Sequence, residues 1–405
     1  LTLFVTLLAN EMPLYPEDHL TAMDWDRTAN GTIPPFPFTW DRDKFMLLPN
    51  REGQLELVDR NSVYQTRLES RTFEVAGKVQ FLFYSSFSGG SPVELSVDQI
   101  QNLTDHGFGK VLPTKILIND WIGRSESEMI EPLAKEYLKK GDVNVIGMIW
   151  TKGATNYAVA AYRVPKVAEL VTKVVDKLLD LGQVVDQIGI IGHGLGAHVA
   201  GIAGRKTRQK VAYIVGLDPA QFLFSLEKPE SRLTLQDAQY VEVIHSNGEG
   251  LGFFTNIGTA DFYPNGGKSQ PGCGGSWSCS HSRAVAYFKE SLATRGIFAN
   301  RCADLKNLNS KCSLGRVEFG EICVYSLKSK PPGVYYFETD SKAPYLKTTS
   351  EEVPPKQVNP NVPTPTQSRP TTPKQDSPNL PIPSSFIHSV RRKISFRKVL
   401  KYRYL

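Results

Sequence analysis

The chain has 405 residues, 47 of them basic and 41 acidic, for a formal net charge of +6. Charged residues make up 22% of it and the hydrophobic set 40%. That composition is globular and excludes a wholly disordered, collagen-like or multi-span membrane chain, while the length allows two or three domains.

The first nine residues, Leu1 to Ala9, are almost entirely apolar. They read as the remnant of a secretory signal peptide or as a buried first strand. Asn30-Gly-Thr32 and Asn102-Leu-Thr104 are glycosylation sequons, usable on a secretory route. Residues 10–75 are rich in Pro, Asp and Arg, show no clear period, and read as an irregular segment. From Lys78 the texture changes. Val79 to Tyr84 and Lys115 to Ile118 read as strands, Glu128 to Lys140 as a helix ended by Gly141, and Val143 to Trp150 as a strand buried on both faces. Pro165 to Leu181 reads as a helix with proline in its first turn and Gly182 as its stop. Gln187 to Ile191, Val211 to Val215 and Tyr240 to Ile244 follow as strands. Strands alternating with helices specify an α/β domain, a mostly parallel sheet with helices on both faces.

Five cysteines, Cys273, Cys279, Cys302, Cys312 and Cys323, lie within one short stretch. None forms a C-x-x-C pair, which argues against zinc or redox chemistry and suits two local disulfides with one thiol left over. Residues 353–384 hold ten of the 27 prolines, among Thr, Ser, Gln and Asn. Such a stretch buries too little to fold and reads as a linker. The last twenty residues carry Arg391, Arg392, Lys393, Arg397, Lys398, Lys401 and Arg403 and no acid. The charge excess is therefore local to this tail. The tail reads as a binding element for an anionic membrane or a sulfated polysaccharide, or as a solvated appendage. A secretory route disfavours nucleic acid. The organisation expected is a signal remnant (1–9), an irregular segment (10–75), one α/β domain (76–347), a Pro-rich linker (348–385) and a basic tail (386–405).

The chemistry concentrates after Ile191. Gly192-His193-Gly194-Leu195-Gly196-Ala197-His198 follows a strand and opens a small-residue helix. This is the setting of a G-x-S-x-G nucleophile elbow, in which a strained turn raises the central side chain at a helix N-terminus. Here the central residue is Gly194. Asp218, in Gly216-Leu-Asp-Pro-Ala220, and His281, in Cys279-Ser-His-Ser282, follow in the order nucleophile, acid, histidine. An Asp–His pair without a serine has no nucleophile proton to take. Ser246, Ser278, Ser280 and Ser282 lie near in sequence, but none sits on the turn.

These motifs, with Val241-Glu-Val-Ile-His245 and Asp261-Phe-Tyr-Pro-Asn-Gly-Gly267, resemble the pancreatic-lipase-like family of secreted lipases and sn-1 phospholipases, over about residues 75–345. The resemblance implies an α/β-hydrolase fold, with Asp218 and His281 as triad acid and base and Gly194 where the family has its serine. It implies an oxyanion hole from the backbone N–H groups of Trp121 and Leu195, although Asn119-Asp120-Trp121 replaces the family's His-Gly-aromatic. An acidic side chain there opposes a developing oxyanion. It implies a short lid, Gly274 to Ser278, between paired Cys273 and Cys279, with Trp277 either dipping into lipid or packed on the rim. Cys302 and Cys312 then form a second bridge, and Cys323 stays odd, in a strand from Ile322 to Tyr325. Of the family's calcium loop, Arg232 and Asp237 match, while Pro229 and Thr234 stand at acidic positions. No metal and no cofactor is expected. His193 and His198 read as packing residues. The expectation is a secreted, catalytically inactive lipase homologue that binds a lipid or other hydrophobic ligand or serves storage, as yolk proteins of some insects do. The alternatives are a lipid ester hydrolase with an unrecognised nucleophile and an extracellular protein acting through its basic tail.

Overall fold

The structure is a computed structural model and describes residues 41–348 apart from 71, 73, 76, 123–125, 153, 310 and 321–329. The readings for the apolar start, Asn30, Cys323, the Pro-rich stretch and the basic tail lie outside the described residues. The chain separates into two units after Glu351, and the fold below belongs to the first.

The sheet has eleven strands, the central ones formed by apolar runs long enough for one strand each. Its centre is parallel and comprises β6 (Asn144–Ile149), β5 (Thr114–Ile118), β7 (Ile188–His193), β8 (Tyr213–Leu217), β9 (Tyr240–Ile244), β10 (Ala260–Pro264) and β13 (Gly333–Phe337), in that spatial order. Antiparallel strands finish both edges. β3 (Gln80–Tyr84) and β4 (Val93–Leu95) lie beyond β6, and β11 (Phe298–Cys302) and β12 (Arg316–Glu318) lie beyond β13. Alternate side chains of the central strands feed two cores. Ile116, Ile118, Ile190, Ile214 and Val243 pack with α3 (Tyr157–Asp180) and α4 (Leu195–Lys206). Leu117, Ile191, Val215 and Ile244 pack on the other face with α2 (Glu131–Lys140) and α5 (Trp277–Ala293). Each such side chain contributes about 1.5–3 kcal/mol on burial, and both faces are covered, as a parallel sheet requires.

Two sequence expectations are corrected. Residues 10–75 are not irregular throughout. β1 (Phe45–Pro49) and β2 (Leu55–Asp59) form an antiparallel hairpin followed by α1 (Arg60–Ser70). The Asn50 side chain accepts from the backbone N–H of Glu52 and Gln54, at 3.1 and 2.9 Å, and so forms the turn. The strands are short and only half-buried, which hides their period. The helix assigned from Pro165 begins instead at Tyr157, capped by the Asn156 side chain accepting from Val159 N–H at 3.0 Å. A proline inside a helix costs ~3 kcal/mol. Here Pro165 faces solvent, and the burial of Ala158, Ala161, Val164, Val167, Ala168 and Val171 outweighs that cost.

Both expected disulfides are present, Cys273–Cys279 and Cys302–Cys312. No helix among the described residues is long and apolar enough to cross a membrane.

Candidate active site

β7 runs into Gly194, whose φ of 53° and ψ of −116° make the sharp turn into α4. The flanking glycines are required by space. A Cβ on Gly192 would stand 2.2 Å from the Gly196 carbonyl oxygen, and one on Gly196 would stand 2.4 Å from the Ile118 oxygen. Strand, turn and helix therefore pack backbone to backbone, which only glycine permits. The elbow is built as the sequence indicates and carries no side chain at its apex.

The fold brings the side chains of Asp218 and His281 together. Asp218 follows β8, and its Oδ2 lies 2.6 Å from His281 Nδ1. Its other oxygen accepts from the backbone N–H of Ser246 and Asn247, at 2.7 and 2.9 Å. Gly252 leaves room for this carboxylate, because a Cβ there would be 2.5 Å from it. His281 sits in the second turn of α5 and is buried. Among the nearby serines, Ser246 donates to the His281 carbonyl at 3.3 Å, and Ser280 accepts from Gln270 N–H at 3.1 Å.

The oxyanion hole departs from expectation. The backbone N–H of Leu195 donates to Asp120 Oδ1 at 2.8 Å. Asp120 Oδ2 lies 3.1 Å from His281 Nε2 and 3.3 Å from Ile122 N–H. The Leu195 side of the hole is thus filled by the protein's own carboxylate. A Cβ on Gly194 would stand 2.3 Å from Asp120 Cγ, so the carboxylate occupies the space of the missing elbow side chain. Its loop is held firmly. Trp150 donates from its indole to the Asn119 carbonyl at 2.9 Å, and Trp121 donates to Ala154 at 3.3 Å. The hairpin turn covers this loop. The Arg51 guanidinium lies 5.0 Å from the Trp121 ring centroid and donates to the Ala154 carbonyl at 3.1 Å. Gly53 packs on Ser278 and Leu251, where a Cβ would come within 2.8 Å of Ser278.

The electrostatics follow from this sandwich. Burial pushes the His281 pKa down, but hydrogen bonds and charge from Asp120 and Asp218 outweigh it and raise it to about 9. At neutral pH His281 is therefore a cation between two carboxylates. Burial pushes Asp120 up, but the bond to His281 and the His281 charge outweigh it and hold Asp120 below the usual carboxylate range. His193 ends β7, and its ring lies 4.3 Å from that of His281. Burial and the His281 cation lower its pKa to about 4 against the two carboxylates, so it is neutral. It is nearer the chemistry than a packing residue was expected to be. His198 is a packing residue. Its Nε2 lies 2.6 Å from the Ala220 carbonyl, its Nδ1 accepts from Leu233 N–H at 3.1 Å, and burial lowers its pKa to about 4.

Asp120, His193 and His281 each bring one possible metal-ligating atom within 4.8 Å of the others. The two imidazoles lie face against face at a tilt of 31°, so their in-plane lone pairs do not converge. Both His281 nitrogens already face carboxylates. The loop over residues 229–237 does not fit calcium either. Arg205 donates from Nε to Asp237 Oδ1 at 2.8 Å, and from Nη2 to Asp237 Oδ2, the Arg232 carbonyl and the Pro229 carbonyl, at 3.1, 2.8 and 3.1 Å. Thr234 donates to both Asp237 oxygens. A guanidinium stands where a bound cation would draw on these oxygens. The thermal midpoint should therefore be the same in millimolar calcium and in chelator, whereas Arg205→Ala should lose about 2 kcal/mol. Calorimetry checks both; a midpoint raised several degrees by calcium would contradict the first.

Trp277, between the paired Cys273 and Cys279, is half-buried in the first turn of α5 and packs against the core on one face of the sheet. Asn102 is exposed within a 3₁₀ segment, Val97–His106.

An elbow at the C-terminal end of a central parallel strand, an acid after the next strand and a histidine contributed beyond it define an α/β-hydrolase. The match to the Lipase family model spans residues 52–345, and the chain belongs to that family. It is 33% identical over 293 residues to lipase member H of Xenopus tropicalis, covering 66% of this chain and 63% of that protein. It is 34% identical over 293 residues to human phospholipase A1 member A, with the same coverages. The chain thus spans somewhat under two thirds of the length of these relatives. A solved α/β-hydrolase from a deep-sea metagenome library is similar at a TM-score of 0.29 and 16% identity, over 43% of this chain and 66% of that one, too partial a likeness to add to the assignment.

Proposed function

We propose that this protein is a secreted lipase homologue that has lost acyl-transfer chemistry and serves to hold a hydrophobic ligand or as a store. The observation that carries the reading is the pairing of Gly194 with Asp120. The elbow has no nucleophilic side chain, and the vacated space and the Leu195 donor are taken by a carboxylate. An ester carbonyl entering this site meets negative charge where its oxyanion would form, which inverts the stabilisation acyl transfer depends on. Removing a triad nucleophile alone costs about a million-fold in turnover. Asp218 and His281 persist here as a buried ion pair with Asp120. The fold is then retained for its apolar interior and surface, and the basic tail, through Arg391, Arg392, Lys393, Arg397, Lys398, Lys401 and Arg403, is its element for an anionic membrane or sulfated polysaccharide.

Natively purified protein should yield a stoichiometric hydrophobic compound on organic extraction and mass spectrometry. Substoichiometric, unselective lipid would argue against the ligand-holding role. Truncation after Ser385 should abolish retention on heparin; unchanged retention would dispose of the tail's role.

A further inference from the structure

The site has a cover that its short lid cannot supply. Between Cys273 and Cys279 lie Gly274 to Ser278 alone, yet Trp121 and Leu251 are each 2% exposed and His281 is 1% exposed. The tip of the β1–β2 hairpin, residues 50–54, spans the mouth from one wall to the other. One wall is the loop after β5. There the Arg51 guanidinium lies 5.0 Å from the Trp121 ring centroid and donates from Nη2 to the Ala154 carbonyl at 3.1 Å. The Trp121 indole donates to that same oxygen at 3.3 Å. The other wall is α5 with the loop after β9. There Gly53, at a φ of 76°, lies so close that a Cβ would stand 2.8 Å from Ser278 Cβ and 3.1 Å from Leu251 Cδ1. We propose that this tip is a strap, latched by Arg51, that closes the mouth and lifts to admit the aliphatic chain of a ligand. Its purpose rests on the ligand-holding reading above, to which it adds the control of access.

The tip is built to move as one piece. The Asn50 backbone N–H donates to the Gln54 carbonyl at 2.8 Å, and the Asn50 carbonyl accepts from Gly53 N–H at 3.0 Å. The Asn50 side chain accepts from Glu52 and Gln54. The base of the hairpin is fixed to the body instead. Leu48 is buried in the core, and Met46, Leu55 and Val58 pack against it. Arg60 N–H, at the start of α1, donates to the Lys44 carbonyl at 2.9 Å. The tip beyond Leu48 is held down by the Arg51 latch and the packing of Gly53, while Arg51, Glu52 and Gln54 are exposed. One hydrogen bond and one exposed cation–π contact together shift an opening equilibrium by about ten-fold. A hold of that size allows local opening without loss of the sheet. Beneath the tip the floor is apolar. Trp121 meets Tyr157, and Tyr157 meets Phe222, edge to face at 6.0 and 6.2 Å, with Leu251 opposite. Such a floor suits an aliphatic chain.

Hydrogen exchange on the intact chain reads the strap without any ligand. In Arg51→Ala the backbone N–H groups of Ala154 and Leu251, the residues on which the tip rests, should exchange about ten-fold faster than in wild type. Those of β5 and β7 should keep their rates. Gly53→Ala, which pushes the other end of the tip off Ser278, should have the same effect. Unchanged exchange at Ala154 and Leu251 in both variants would overturn the proposal. So would acceleration spread equally over β5 and β7, which would mean a loss of global stability in place of a lifting strap. Uptake of a dansyl-labelled long-chain fatty acid is then followed by fluorescence. Wild type should take it up at a rate that levels off with probe concentration, set by opening, and Arg51→Ala should be about ten-fold faster. Equal uptake rates would overturn the gating role. Absence of uptake by all three proteins, with exchange accelerated at Ala154 and Leu251, would count against the ligand-holding reading and support the lifting of the strap.

Discussion

Gly194→Ser alone should not create an esterase. The family's serine has its Cβ where Asp120 Cγ lies within 2.3 Å, so the new side chain and the carboxylate compete for one space. The collision falls on a carboxylate held by the Leu195 N–H and the His281 cation. Displacing it costs that ion pair, and breaking a buried pair typically costs about 3–5 kcal/mol. The single variant should be destabilised and inert. The double variant Gly194→Ser with Asp120→Gly removes the obstacle, returns the Leu195 donor to the hole and leaves His281 with Asp218 alone. It should hydrolyse a short-chain ester roughly 10²–10³-fold faster than the single variant, the range associated with one oxyanion donor. Ester turnover by the single variant equal to that of the double would show that Asp120 does not obstruct the site.

The second large effect is on stability against pH. His281 has a folded pKa of about 9, above its unfolded value near 6.5. A raised folded pKa contributes stability in full below the unfolded value and loses it as pH rises through the folded one. About 3 kcal/mol should therefore be lost between pH 6.5 and 9 and slightly beyond, at 1.36 kcal/mol per unit. Asp120 has the opposite sign. Its folded pKa is held below the usual range, so its contribution is present above about pH 4 and is lost only as pH falls through the folded value. Denaturant titrations should show a plateau between about pH 4 and 6.5 and a decline above it, through neutrality to about pH 9. In Asp120→Asn the His281 pKa should drop toward its unfolded value, and that decline should shrink by half or more. An unchanged decline in that variant would assign it to other groups.

The sheet was largely legible in the sequence because each central strand is an apolar run bounded by turns. Tyr240 to Ile244 was placed to the residue, and the strands at 80–84, 114–118, 144–149, 188–193 and 213–217 within about two residues at their ends. The hairpin at 45–59 was not legible, since its strands are half-buried and its turn depends on the Asn50 side chain. Pro165 misled because a local rule about helix starts was outweighed by burial along α3. At the site, glycine spacing and the Asp218–His281 order gave the elbow and the pair. The acid at 120 was visible as a disturbance of the hole. Its position in the nucleophile's space was not, because that depends on two loops that meet across β5 and β7. His193 against His281, Arg51 over Trp121 and Arg205 on Asp237 are likewise contacts between distant segments, 88, 70 and 32 residues apart in sequence, that no local pattern encodes.

The central claim is that a lipase fold here carries out no ester hydrolysis, because a carboxylate stands where the nucleophile belongs. It is tested most directly by assaying wild type and His281→Ala side by side on a phospholipid and a short-chain ester. The expected result is the same background rate for both proteins on both substrates. Hydrolysis by wild type that disappears in His281→Ala would contradict the claim and would mean that the triad histidine serves a nucleophile other than the elbow residue.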